Sequence, residues 1–201
     1  MTKAMNGLSV TTFFKEQVVE MLLVLNIVVF QIAWLASVIG GAQQMPWLGP
    51  VVALVALVLH LSSARKPFDE LLLVVCCAVI GASFDSILVA AGWVTYKSGL
   101  MSQYLAPYWI ITMWMLFAMT LNVSMRWLRG KPKLAALLGF YGGPASYIGG
   151  QALGGIVLVN QFAALSALAI GWAVMMPLLM RLSESLDGMP GPRRNWVMER
   201  R

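Results

Sequence analysis

The chain has 201 residues, 60% of them hydrophobic and only 11% charged, with a mean hydropathy of +0.79. Soluble domains carry about a quarter charged residues, so this composition excludes an ordinary soluble domain and points to a membrane protein. The net charge of +6 needs no nucleic acid to explain it, because basic cytoplasmic loops facing anionic lipid head groups are its ordinary cause.

A helix needs about 20 apolar residues to cross the hydrocarbon core. Residues 1–18 are mixed and weakly amphipathic, with no short apolar stretch ending in a small-residue cleavage site. They read as a cytoplasmic N-terminal segment ahead of a retained anchor. Apolar runs then predict six transmembrane helices at about 19–40, 46–63, 70–93, 107–127, 134–154 and 160–181. Residues 183–201, broken by Asp187-Gly188-Met189-Pro190-Gly191-Pro192, read as a flexible basic tail. The expected fold is all-α, a compact six-helix bundle over 19–182.

Thirteen of the fourteen lysines and arginines lie before the first run, in the second and fourth connections, or after the last run. The other three connections hold only Lys97. The positive-inside rule therefore predicts both termini in the cytoplasm.

In the first run, Gln31 and Trp34 are expected in the outer half, with Asn26 nearer the cytoplasm. His60 near the end of the second run and Asn122 near the end of the fourth join Asn26 in a secondary polar layer. The adjacent Cys76 and Cys77 point about 100° apart on a helix and suit neither a redox pair nor a metal site. Asp85 is the outstanding residue of the third run. A carboxylate at that depth costs about 2.5–3.5 kcal/mol on insertion scales unless it is paired, hydrated or protonated. Its own helix face is small (Ala78, Gly81 or Ala82, Val89, Gly92), so it is expected to pack on another helix or line a cavity. Tyr108 and Trp109 enter the fourth run as interfacial belt residues.

The fifth run carries Gly139, Gly143, Ser146, Gly150 and Gly154, spaced by four, three, four and four residues. Such a stripe lets another helix approach closely. Pro144 interrupts the run and is a candidate kink or break. Tyr147 and Gln151 share one face there and are expected to reach Asp85. The ligand- or proton-binding candidates are thus Asp85, Gln31, Tyr147 and Gln151. A single histidine excludes a multi-histidine metal site or bis-histidine haem built from this chain alone. No cofactor is expected, and no catalytic set emerges. The connections Leu59-His60-Leu61-Ser62…Lys66-Pro67 and Leu121-Asn122-Val123-Ser124…Lys131-Pro132 look alike, but their spacing differs by three residues and coincidence is the simpler account.

Asn26 to Trp34, Leu59 to Leu61, Phe84 to Ser86, Trp114 to Leu128 and Gly142 to Gly154 together resemble a bacterial inner-membrane family catalogued as domain of unknown function 2878. That family commonly has histidine where Val123 stands. The resemblance implies work connected with membrane-lipid modification and gives no residue a role. Three functions are open at this point. The first is a small transporter or solute-binding protein with a site around Asp85. The second is a non-catalytic accessory protein of a lipid-modifying system, and the third a lipid-modifying enzyme. The expected partners are membrane lipids, with a membrane-protein partner or a second copy of the chain.

Overall fold

The computed structural model describes residues 10–190, with side chains from residue 20 onward. It contains α1 (Val10–Ala42), α2 (Leu48–Ser63), α3 (Pro67–Ala90), β1 (Val94–Tyr96), α4 (Tyr108–Leu121), α5 (Pro132–Ala152), β2 (Ile156–Leu158) and α6 (Gln161–Ser185). A single 3-10 turn, Arg126–Leu128, links α4 to α5. The fold is all-helical apart from the antiparallel β1–β2 ribbon, which pairs Val94 with Leu158, Thr95 with Val157 and Tyr96 with Ile156.

Each boundary has a local cause. Proline opens both α3 and α5 at a position where no amide hydrogen bond is lost, and Asp69 and Glu70 place negative charge in the first turn of α3. The Asn160 side chain caps α6 by accepting from the amide of Ala163 at 3.1 Å. Gly92 and Gly154, with φ of +70° and +83°, follow α3 and α5 in the left-handed conformation that ends a helix and turn the chain into β1 and β2. The two similar connections of the sequence therefore begin a matched series of hairpin, helix, glycine and strand, and the two strands pair with each other.

α1 starts at Val10, ahead of the expected residue 19. α4 stops at Leu121 where 127 was expected, because the chain turns at Asn122. α5 is continuous through Pro144, with no break. α6 runs to Ser185, and the segment after it folds back onto the bundle, so residues 183–190 are not a free tail. Residues 191–201 lie outside the described residues. By length and composition, three helices can cross a membrane, over Glu20–Ala42, Pro67–Ala90 and Gln161–Ser185. α2 and α4 are apolar but shorter, with 16 and 14 residues.

α5 packs most extensively along α6, and α3 along α4, while α1 lies on α2 and α4. The expected small-residue stripe has another use. A Cβ on Gly143 would sit 2.4 Å from the indole of Trp172, and one on Gly81 only 1.8 Å from that of Trp114. The two indoles stack with centroids 4.7 Å apart. These glycines of α5 and α3 thus flank an indole pair. Gly139 does meet backbone, the carbonyl of Trp172, and Gly150 meets Ile156 of the ribbon. Ser146 bonds its own helix at the carbonyl of Gly143, and Gly154 is the helix terminator. Trp109 is fully buried under the ribbon, where Gly41 and Gly99 leave room for its ring, and is not a belt residue.

Gly81→Val should destabilise the fold by about 1–3 kcal/mol through overpacking against Trp114. Gly142→Ala, at a helical position where a Cβ meets nothing within 4 Å, should leave stability unchanged or raise it by up to about 1 kcal/mol. Thermal unfolding of the two variants in detergent checks the contrast.

Candidate functional site: two buried carboxylates and two cavities

α3 carries two fully buried carboxylates, Asp85 and Glu70. They are fifteen residues apart, about 22 Å along the helix, and mark opposite ends of the bundle.

At the ribbon end, Oδ1 of Asp85 accepts from the hydroxyl of Tyr96 at 3.2 Å and from the hydroxyl of Tyr147, and Oδ2 accepts from Nε1 of Trp114 at 2.6 Å. Donors from β1, α4 and α5 therefore converge on one carboxylate of α3. A buried carboxylate is tolerable when donors of this kind replace its water. Only Tyr147 of the expected partners is present. Gln31 and Gln151 are exposed and make no bond to Asp85. Gln31 sits about 100° round α1 from Phe30, in a stretch of the helix where Ile27, Val28 and Ile32 are also exposed. Gln151 lies one turn beyond Tyr147, past the level of the carboxylate.

At the hairpin end, Oε2 of Glu70 lies 2.8 Å from Nε2 of His60, and Oε1 accepts from Nδ2 of Asn122 at 2.7 Å and from the amide of Gly188 at 2.8 Å. Asn122 also receives Arg129 on its Oδ1. Asp187 bridges the guanidinium groups of Arg126 and Arg129 at 2.7 and 2.8 Å. The carbonyl of Gly188 accepts from the amides of Arg65 and Lys66. No side chain fits at Gly188, since a Cβ would lie 2.3 Å from the Lys66 carbonyl oxygen. Segment 186–188 thus locks the α2–α3 hairpin to the α4–α5 hairpin. His60 and Asn122, expected in one polar layer, do meet on Glu70. Asn26 stands apart and donates to the carbonyl of Met119 at 3.1 Å.

Tyr96, Trp114 and Glu70 were not among the sequence candidates. Glu70 had a signal, an acidic residue one hairpin away from the only histidine. Trp114 and Tyr96 had none beyond being aromatic residues with a polar atom.

Two cavities flank α1. One, of about 460 Å³, opens between α1, α4 and α5, and Trp34, Trp114, Tyr147, Trp172 and Gly142 are among the residues lining it. Two of the Asp85 donors, Trp114 and Tyr147, therefore form part of its wall, whereas Asp85 itself does not line it. The other, of about 340 Å³, lies at the hairpin end between α1 and α2 and reaches Asn26, His60 and Arg126. Phe30 borders both. Among the described residues no group of three or more histidine, cysteine, aspartate or glutamate side chains could hold a metal ion.

Apolar helices of this length, with carboxylates satisfied internally, are compatible with an integral membrane protein. The chain belongs to the family described as protein of unknown function (DUF2878), which matches residues 23–178. No curated protein and no solved structure matches the chain.

Asp85→Ala leaves three buried donors without an acceptor and should cost about 3 kcal/mol or more of stability, while Tyr147→Phe, which removes one of three donors, should cost about 1 kcal/mol. Unfolding midpoints in detergent check the difference, and equal losses would contradict the cage.

Proposed function

We propose that the protein is a six-span inner-membrane protein that binds the hydrocarbon chain of a membrane lipid in the cleft between α1, α4 and α5. The observation that carries this reading is the cleft itself, which is lined mostly by aromatic, thioether and aliphatic groups, with Ser124, Ser146 and Tyr147, and by no aspartate, glutamate, histidine, lysine, arginine or cysteine. Such a lining favours binding over acid–base chemistry. Asp85 then acts by holding Trp114 and Tyr147 in the wall. Its oxygens are occupied and it is sealed from the cavity, which argues against the carboxylate as a carrier of protons or cations. A lipid-binding accessory of a lipid-modifying system fits the same geometry.

The membrane setting is supported by large apolar side chains left on the outside of the bundle, such as Leu54, Val55 and Val58 on α2 and Phe162, Ile170 and Val174 on α6. Exposed patches of this kind are unfavourable against water and ordinary against lipid. Basic residues at the hairpin end support a cytoplasmic location for that end under the positive-inside rule. α4 spans only about 21 Å as helix, and the connections at its two ends complete the crossing.

A phospholipid bearing a photoreactive diazirine in its chain should attach preferentially to cleft residues of α4 and α5, and Gly142→Leu should reduce that attachment several-fold by filling the cleft. Attachment spread evenly over the outward faces of α2 and α6, unchanged by Gly142→Leu, would contradict the reading. The orientation is checked separately in a Cys76→Ala/Cys77→Ala background. A cysteine at Lys97 should react with a membrane-impermeant maleimide in whole cells, and one at Lys131 should not.

A further inference from the structure

The cavity at the hairpin end differs in kind from the cleft. Most of its wall is apolar, including Val29, Ala56 and Met119, but it also includes three polar side chains whose hydrogen-bonding capacity is not filled among the described residues. Oδ1 of Asn26 is buried and has no donor among the described residues, and its amide nitrogen is committed to Met119, which fixes the oxygen in place. His60 gives Nε2 to Glu70, so among the described residues Nδ1 is left as the ring's second nitrogen and, in the neutral ring with Nε2 protonated, an acceptor. Arg126 uses Nε on the carbonyl of Asn122 and one terminal nitrogen on Asp187, leaving its other terminal nitrogen as a donor with no acceptor among the described residues. The cavity thus offers two acceptors and a guanidinium donor at the mouth of an apolar trough.

We propose that this cavity binds the head group of a phospholipid that carries a hydrogen-bond donor next to its phosphate, as an ethanolamine head group does. The phosphate lies at Arg126, the primary ammonium donates to Asn26 Oδ1 and His60 Nδ1, and an acyl chain follows the trough between α1 and α2. An unpaired buried acceptor selects for a donor in the ligand, because a partner that cannot donate leaves it unsatisfied. Phosphatidylcholine shares the phosphate and the chains but its trimethylated nitrogen cannot donate, so it is the disfavoured matched ligand. The proposal rests on the membrane reading above and is independent of the cleft.

The test is native mass spectrometry of the full chain after delipidation, with phosphatidylethanolamine or phosphatidylcholine of identical chains added back. The ethanolamine lipid should be retained at least fivefold better. Asn26→Leu should abolish that preference. Ser63→Trp, from an exposed position lining the cavity, should lower retention of the ethanolamine lipid severalfold. The cleft variant Gly142→Leu should leave the preference intact. Equal retention of the two lipids by the unaltered protein would overturn the proposal, as would a preference that survives both Asn26→Leu and Ser63→Trp. Loss of the preference in Gly142→Leu alone would also overturn it, by moving the site to the cleft.

Discussion

A carboxyl group inside an apolar bundle has to find its hydrogen bonds within the protein, and α3 carries two of them. The rest of the structure is arranged around that requirement. Each carboxylate has three hydrogen-bond partners, and none of the six comes from α3 itself. At one end the donors arrive from β1, α4 and α5. At the other they arrive from α2, the end of α4 and the segment beyond α6. Contacts between sequence-distant elements are what hold helices together where lipid supplies no hydrophobic drive, and here they are concentrated at the two ends of one helix. The indole pair Trp114–Trp172 sits between, made possible by Gly81 and Gly143.

This arrangement leaves α1 comparatively free. Its first membrane-length half exposes Met21, Leu22, Val24, Leu25 and Ile27, and cavities lie on both of its sides. A helix that rests on α2 and α4 with space at either flank is suited to admitting a lipid laterally. The two cavities would then act independently on either side of Phe30, the cleft taking a hydrocarbon chain and the hairpin-end cavity a head group with its own chain.

Much of the helical layout was legible because apolar run length and breaker residues report it directly. Prolines 67 and 132 and glycines 92 and 154 mark boundaries with a local mechanism. Asp85 was legible as a group needing internal partners because no other acidic residue lies so far from a run end, and Tyr147 as one of those partners because it stood on the expected face. The ribbon was not legible, since three-residue strands have no periodicity and their pairing joins residues 62 apart. Glu70 stands near a helix start, with no sign in the sequence that the return of Gly188, 118 residues later, joins His60 and Asn122 in enclosing it. Gln31 and Gln151 failed for the opposite reason. Polarity inside a run suggests an inward position, but both residues are exposed, Gln31 where α1 carries little cover and Gln151 a turn past the level of Asp85.

The central claim is that Asp85 and Glu70 fasten separate ends of the bundle. Hydrogen–deuterium exchange on Glu70→Gln tests it most directly. The account predicts faster exchange in 121–131 and 183–190 with unchanged protection in the ribbon, residues 93–97 and 156–159. Faster exchange spread uniformly over both ends, or confined to the ribbon, would contradict it.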